Sequence, residues 1–207
     1  MLSHFFYIKS STYFQSPAAS DVLAKVHGQS SRQQTWNPPP CGVYKLNTDA
    51  ALLPQGGIGL GCVMRDHRGA FVGASMKKER GVCRAIEEEA RAMVLGLAEA
   101  NRRILSPLIV EFDCQSLINK IQRREADATE LGEWCEAIWR LAKVNESFSG
   151  KQVTWVFAGR KMNKVAHWLA HSGSRWDEQV VWVDNPPLIL LSLLEDDMGR
   201  SPCTFSN

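Results

Sequence analysis

The stretch Val43-Tyr44-Lys45-Leu46-Asn47-Thr48-Asp49-Ala50 alternates in character. Tyr44, Leu46 and Thr48 fall on one face, and Lys45, Asn47 and Asp49 on the other. A period of two is the mark of a strand. Downstream, Leu53-Pro54-Gln55-Gly56-Gly57 turns the chain, and Ile58 to Arg65 alternates again. Ile58, Leu60, Cys62 and Met64 share one face, with glycines on part of the other. Asp66-His67-Arg68-Gly69 is a turn signal, and Ala70 to Lys77 makes a third strand. Three sequential strands with short turns form an antiparallel meander. Upstream, Trp36-Asn37-Pro38-Pro39-Pro40 reads as a stiff, extended linker. Residues 1–35 read as a disordered leader.

Beyond the meander the period changes. Ile86, Ala90, Met93 and Leu97 recur at helical spacing, which predicts a helix from about Arg84 to Asn101. Pro107 to Phe112 is a short apolar run, suited to a strand buried on both faces. Leu117, Ile118 and Ile121 mark a short helix over Cys114 to Arg123, and Leu131, Trp134, Ile138 and Leu141 mark another. Gln152 to Phe157 is a fifth strand, and Met162, Val165, Ala166 and Leu169 mark a last helix ending near Gly173. The order β-β-β-α-β-α-α-β-α predicts an α/β fold. Its five-stranded mixed sheet, a meander extended by parallel strands, is flanked by helices. The domain is placed over residues 36–174, and residues 175–207 are read as a tail without period.

Composition narrows the function. The chain has 207 residues, 44% apolar and 22% charged, with a formal net charge of +2. Those shares suit a globular protein, and so small a charge argues against a histone-like basic protein. Any contact with nucleic acid must come from a local patch. The longest apolar run, near Pro186 to Leu194, is broken by prolines and a serine and falls short of the ~20 residues a membrane helix needs. No two of the six cysteines form a C-x-x-C pair. They read as reduced thiols of an intracellular protein, nuclear or cytoplasmic. Met1 to Ser20 lacks acids but also lacks the arginines of an organelle transit peptide.

In open α/β sheets, ligands gather at the carboxyl ends of parallel strands. Asp49 ends the first strand, Asp113 ends the fourth, and Glu89 lies on the inward face of the first helix. A carboxylate facing a core without a partner costs several kcal/mol, and a shared cation relieves all three. Each acid also has a plainer reading. Asp49 starts a turn, Asp113 caps the following helix, or Glu89 pairs with Arg84 or Arg91.

The segments Lys45-Leu46-Asn47-Thr48-Asp49-Ala50-Ala51, Glu89-Ala90-Arg91-Ala92-Met93, Val110-Glu111-Phe112-Asp113-Cys114 and Asn163-Lys164-Val165-Ala166-His167-Trp168-Leu169-Ala170 resemble those of type 1 RNase H domains. Plant-type domains related to the reverse transcriptases of non-LTR retroelements are the most similar. The resemblance spans Trp36 to Gly173, and Trp182-Val183-Asp184-Asn185-Pro186-Pro187 is similar to the tails of such proteins. It implies an endonuclease that hydrolyses the RNA strand of RNA–DNA hybrids with two Mg²⁺ (or Mn²⁺). Asp49, Glu89 and Asp113 match its metal ligands, and His167 falls where a fourth carboxylate is usual. Phe157 stands where a loop histidine is expected, and Ala50 where a glycine is usual. The alternative is a binding module derived from a retroelement that no longer cleaves. A monomer is expected, with no membrane and no small-molecule cofactor.

The chemistry explains the residue types. Two Mg²⁺ about 3.5–4 Å apart activate water and stabilise the leaving oxyanion, and Mg²⁺ wants hard oxygen ligands. Imidazole is softer and uncharged, so His167 weakens the second Mg²⁺ site or shuttles a proton. Arg160, Lys161 and Lys164 cluster beside His167 and suit phosphate contacts. Lys77, Lys78, Arg80 and Arg84 form a second basic group, and Asn47, Gln55 and Asn119 are candidates for 2′-hydroxyl contacts. His167 and His171 have the spacing of a zinc pair, but Trp168 stands where H-E-x-x-H carries Glu, and no nearby Cys or His supplies a third ligand. Ser116 has no partner histidine for a triad. Trp134, Trp139, Trp155 and Trp168 read as core.

Overall fold

The computed structural model describes residues 35–81, 83–125, 127–172 and 179–198. The expected leader lies outside them except for Thr35. The chain runs β1 (Tyr44–Leu52), β2 (Ile58–Arg65), β3 (Phe71–Glu79), α1 (Ala85–Arg102), β4 (Leu108–Phe112), α2 (Gln115–Arg123), α3 (Glu130–Ser149), β5 (Thr154–Phe157), a 3-10 turn (Arg160–Met162), α4 (Lys164–Ser172), β6 (Val180–Val183) and α5 (Leu188–Asp197). The sheet order is β5-β4-β1-β2-β3-β6. β1 to β3 form the antiparallel meander, and β4 and β5 extend it in parallel.

The alternation in β1 and β2 assigns each face its helix. Leu46, Cys62 and Met64 join Met93 and Leu97 of α1, Val110 and Phe112 of β4, and Ile138 of α3 in the larger core. Gly96 lets α1 lie directly on β1. A Cβ there would meet Thr48 Cγ2 at 2.8 Å and Leu46 Cδ1 at 3.0 Å. The opposite face holds α4 through Val63, Val165, Ala166 and Leu169. Here β2 offers bare backbone. A Cβ on Gly61 would stand 2.5 Å from the Ala166 carbonyl oxygen, and one on Gly59 would collide with that of Ala170.

The sheet has six strands where five were expected. β6 comes from the tail and pairs antiparallel with β3, from Gly73↔Val183 to Met76↔Val180. All four of its residues are apolar, so period two is invisible in the sequence. Only Val180 and Trp182 pack inward, while Val181 and Val183 are exposed. α5 also hides its period. Leu190, Leu194 and Asp197 form the buried stripe, while Leu188, Ile189 and Leu191 face outward.

The Trp36 segment is no free linker either. Trp36 is 2% exposed, and its Nε1–H donates to Asn47 Oδ1 at 2.9 Å. The Arg65 guanidinium stacks 3.4 Å from the Trp36 ring, donates to Asp197 Oδ2 at 2.9 Å and to Asn47 Oδ1 at 3.1 Å. Asn47 donates on to Glu111 at 3.1 Å, and Lys45 pairs with Glu111 at 2.6 Å. A buried charge that loses its partner is strongly destabilising. The network therefore fastens the Trp36 segment and α5 to β1, β2 and β4.

Candidate active site

The parallel ladder between β1 and β4 ends at Asn47↔Glu111. Asp49 and Asp113 each lie two residues past that pair, on adjacent strands. Asp49 is thus at the end of the ladder and not of its strand, because β1 continues to Leu52 against β2. α1, lying close on β1, brings up Glu89. One oxygen from each of Asp49, Glu89 and Asp113 lies within 4.8 Å of the other two.

The cluster is electrostatically strained. Burial pushes the Asp49 carboxyl up to about 6; the His167 hydrogen bond opposes that rise and the Asp113 charge adds to it. Glu89 is pushed up to about 9, first by burial and then by Asp49 and Asp113. Glu89 Oε2 is buried with no hydrogen-bond partner. The plainer readings of the acids do not hold. Asp49 is inside a strand. Cys114, not Asp113, occupies the N-cap of α2. Arg84 pairs with Glu87 at 2.5 Å, and Arg91 pairs with Glu130 at 2.5 Å and Glu79 at 3.5 Å, so neither serves Glu89.

α4 supplies the histidines. Asn163, just before it, donates to the Thr48 carbonyl at 2.8 Å and anchors the helix start to β1. His167 Nδ1 then lies 2.8 Å from Asp49 Oδ2. His171 follows one turn on, its Nδ1 3.0 Å from the His167 carbonyl and its ring centroid 4.1 Å from that of His167. His167, His171 and Asp49 form a second group with ligand atoms within 4.8 Å. The sequence showed the pair's spacing but not its third member, which is 118 residues away from His167.

The basic residues divide. Arg160 Nε stands 3.4 Å from Asp113 Oδ2. Lys161 and Lys164 are exposed and make no ion pair among the described residues. In the second basic group, Lys77 pairs with Glu79, while Lys78 and Arg80 border a hollow of about 400 Å³ with Gln55 and three glycines. Asn47 is fully buried in the network above, so it is no hydroxyl reader. Phe157, 48% exposed, is the register partner of Phe112, beside Asp113. The four tryptophans pack against the cores as expected.

Residues 47–173 match the reverse transcriptase-like family, more than half of the chain and all of the site just described. The chain belongs to that family. Its RNase H-like domain also resembles solved structures. RNase H1 from the archaeon Halobacterium salinarum aligns with a TM-score of 0.56 at 16% identity, over 64% of this chain and 97% of that one. The N-terminal RNase H domain of a Mycobacterium tuberculosis protein aligns with 0.56 at 18%, over 64% and 93%. LC11-RNase H1, isolated from compost and solved with an RNA/DNA hybrid, aligns with 0.52 at 16%, over 61% and 93%. At these identities the likeness establishes the fold. No curated protein matches the chain. Among the described residues of the RNase H-like domain, no helix is long and apolar enough to cross a membrane, and Cys41, Cys62, Cys83, Cys114 and Cys135 are free thiols.

Proposed function

We propose that the RNase H-like domain hydrolyses the RNA strand of RNA–DNA hybrids, using divalent cations held by Asp49, Glu89 and Asp113. One observation carries the reading. Three carboxylates converge within 4.8 Å, and a buried oxygen of Glu89 lacks any partner. Like charges so placed oppose ionisation, and a hard cation with oxygen ligands removes that conflict. The donor set therefore fits Mg²⁺ or Mn²⁺. Such ions, when bound, supply an activated water near neutral pH and charge stabilisation for the leaving oxygen. The hybrid-bound LC11 neighbour supports the substrate class.

The chain's own groups do the rest. Asp49, held by both strand ladder and burial, fixes the centre of the cluster. The 2.8 Å contact between His167 Nδ1 and Asp49 Oδ2 sets the ring's orientation. Lys161, in the 3-10 turn, and Lys164, at the first residue of α4, are the exposed cations that would meet phosphate oxygens of the hybrid.

A second reading, a hybrid-binding module without cleavage, is favoured by one contact. Arg160 already places a positive charge on Asp113, where a metal ion would otherwise sit. Incubation of the full chain with an end-labelled hybrid, in Mg²⁺ and then Mn²⁺, separates the two. Cleavage of the RNA strand that Asp49→Asn abolishes supports the enzyme. Intact RNA with tight hybrid binding supports the module.

A further inference from the structure

We infer that Asn47 and Glu111 are positioning residues for the carboxylate cluster, and that Trp36 and Arg65 hold them in place. The inference rests on reading Asp49, Glu89 and Asp113 as cation ligands. The parallel ladder between β1 and β4 runs from Tyr44↔Leu108 to Asn47↔Glu111 and stops there. Asp49 and Asp113 lie beyond its last pair, so their spacing is inherited from that pair. Alternate residues of a strand share a face, which puts the Asn47 side chain on the Asp49 side of β1.

A side-chain bond closes that last pair. Asn47 Nδ2–H donates to Glu111 Oε2 at 3.1 Å. Lys45 Nζ meets the other oxygen of Glu111, Oε1, at 2.6 Å and donates to the Asn37 carbonyl at 2.7 Å. The Asn47 carboxamide is held in one orientation. The Trp36 indole and the Arg65 guanidinium can only donate, at 2.9 Å and 3.1 Å, so Oδ1 must face them. The amide nitrogen is then directed across to β4. Arg65 is itself held by Asp197 at 2.9 Å, and the Trp36 backbone N–H donates to the Asp197 carbonyl at 3.1 Å.

Filling a core does not call for such a network. Apolar residues of similar volume in place of a buried ionic network are often as stable or more so. What the polar network adds is a single register, because a slipped strand would leave its buried charges unpaired. It adds this at the last pair before two carboxylates that converge, with Glu89, within 4.8 Å.

The test reads Mn²⁺ binding to the full chain by calorimetry, with folding checked by melting curves. Asn47→Asp keeps the acceptors for Trp36 and Arg65 but sets a second carboxylate against Glu111. By charge alone it would strengthen cation binding, so a loss reports geometry. The expected loss is about tenfold, the low end for groups that orient metal ligands. Asn47→Asp combined with Glu111→Gln rebuilds the bond with its polarity reversed and should recover most of the lost affinity. Trp36→Phe keeps a ring under Arg65 and removes one donor, so it should weaken Mn²⁺ binding severalfold. The inference is overturned if folded Asn47→Asp binds Mn²⁺ as the parent does, or if the double variant stays as weak as the single one. Should Asn47→Asp not fold, parental affinity in Trp36→Phe overturns it. Mn²⁺ binding that Asp49→Asn leaves intact would overturn the cation reading of the cluster, and this inference with it. Loss in Asn47→Asp and recovery in the double variant, without any hybrid cleavage, would count against the nuclease alone.

Discussion

Arg160 places its Nε 3.4 Å from Asp113 Oδ2, so a carboxylate cluster crowded on its buried side has a positive charge on its open side. The Arg160 side chain is 82% exposed, and an exposed pair of this kind contributes little to stability. Its effect falls on ligands. Arg160→Ala should leave the melting temperature within about 2 °C, since exposed pairs are worth under ~1 kcal/mol. It should raise Mn²⁺ affinity severalfold, because Asp113 is released. Hybrid affinity should fall at the same time, since a phosphate partner is gone. Calorimetric Mn²⁺ titration reads the first effect. A fall in Mn²⁺ affinity would show that Arg160 positions Asp113 and does not compete for it.

The pH dependence of stability follows from the same crowding. Glu89 is raised from 4.5 to about 9, and Asp49 from 3.8 to about 6. A carboxyl raised on folding favours the native state while it stays protonated. Its contribution is complete below the unfolded value and is lost as pH climbs through the folded one. Metal-free protein should therefore lose stability between roughly pH 4 and pH 9, with Asp49 titrating first. Glu89→Gln should flatten the upper part of that decline. At pH 8 it should melt a few degrees above the parent, at about 2–4 °C per kcal/mol. Divalent-cation binding near pH 7 should expel a proton from Glu89, which calorimetry in buffers of different ionisation enthalpy measures. A variant that melts below the parent at pH 8 would make Glu89 a structural carboxyl.

The buried Arg65–Asp197 pair tests whether the C-terminal helix is part of the fold. Both side chains have no solvent exposure, and they meet at 2.9 Å. Removing one member of a buried pair costs about 3–5 kcal/mol. Asp197→Ala should therefore lower the melting temperature by roughly 6–20 °C, at about 2–4 °C per kcal/mol. Asp196→Ala, one residue earlier and exposed, should not. Equal behaviour of the two would detach α5 from the domain.

That pair also shows where the sequence stops being legible. The site acids could be read because each carries a local signal. Asp49 and Asp113 follow apolar strand patterns, and Glu89 breaks the apolar face of a helix. Gly59 and Gly61 stand out on the second face of β2, but only the structure shows that their missing side chains admit α4. Arg65, Asn47, Glu111 and Asp197 gave no comparable sign. Each looks like a surface residue until its partner is known, and Asp197 lies 132 residues from Arg65. β6 and α5 were missed for the opposite reason. Their exposed valines and leucines erase the contrast that makes a period visible. The third member of the His167–His171 group was hidden by the same distance in sequence.

Binding to a hybrid should depend on Lys161 and Lys164. Both are exposed, Lys161 in the 3-10 turn and Lys164 as the first residue of α4, on either side of Asn163, which ties that helix to β1. Contacts to phosphate release counterions, and each lysine contributes about 0.7–0.9 to the salt slope. Lys161→Glu combined with Lys164→Glu should weaken binding across all sequences and lower the slope by about 1.4–1.8. Fluorescence anisotropy at several salt concentrations gives both numbers. An unchanged slope would remove α4 from the nucleic-acid face.

His167 decides how far the cluster behaves as a magnesium enzyme. Its Nδ1 lies 2.8 Å from Asp49, so it reaches the same carboxylate the ions would use. Imidazole is a softer ligand than carboxylate and adds no negative charge, so Mg²⁺ occupancy suffers more than Mn²⁺ occupancy. Hybrid cleavage by the parent should accordingly be at least several-fold faster in Mn²⁺ than in Mg²⁺. His167→Asp replaces the ring with a hard oxygen ligand and should raise the Mg²⁺-dependent rate. It should also add like charge to a crowded cluster, lowering metal-free stability at pH 8. His167→Ala removes both ligand and hydrogen bond, and should lower the Mn²⁺ rate about tenfold or more. Single-turnover rates with each metal, alongside melting curves in chelator, measure all of these. If the parent, His167→Asp and His167→Ala cleave alike, the position carries no chemistry. If none cleaves with either metal while hybrid binding persists, the domain is a binding module.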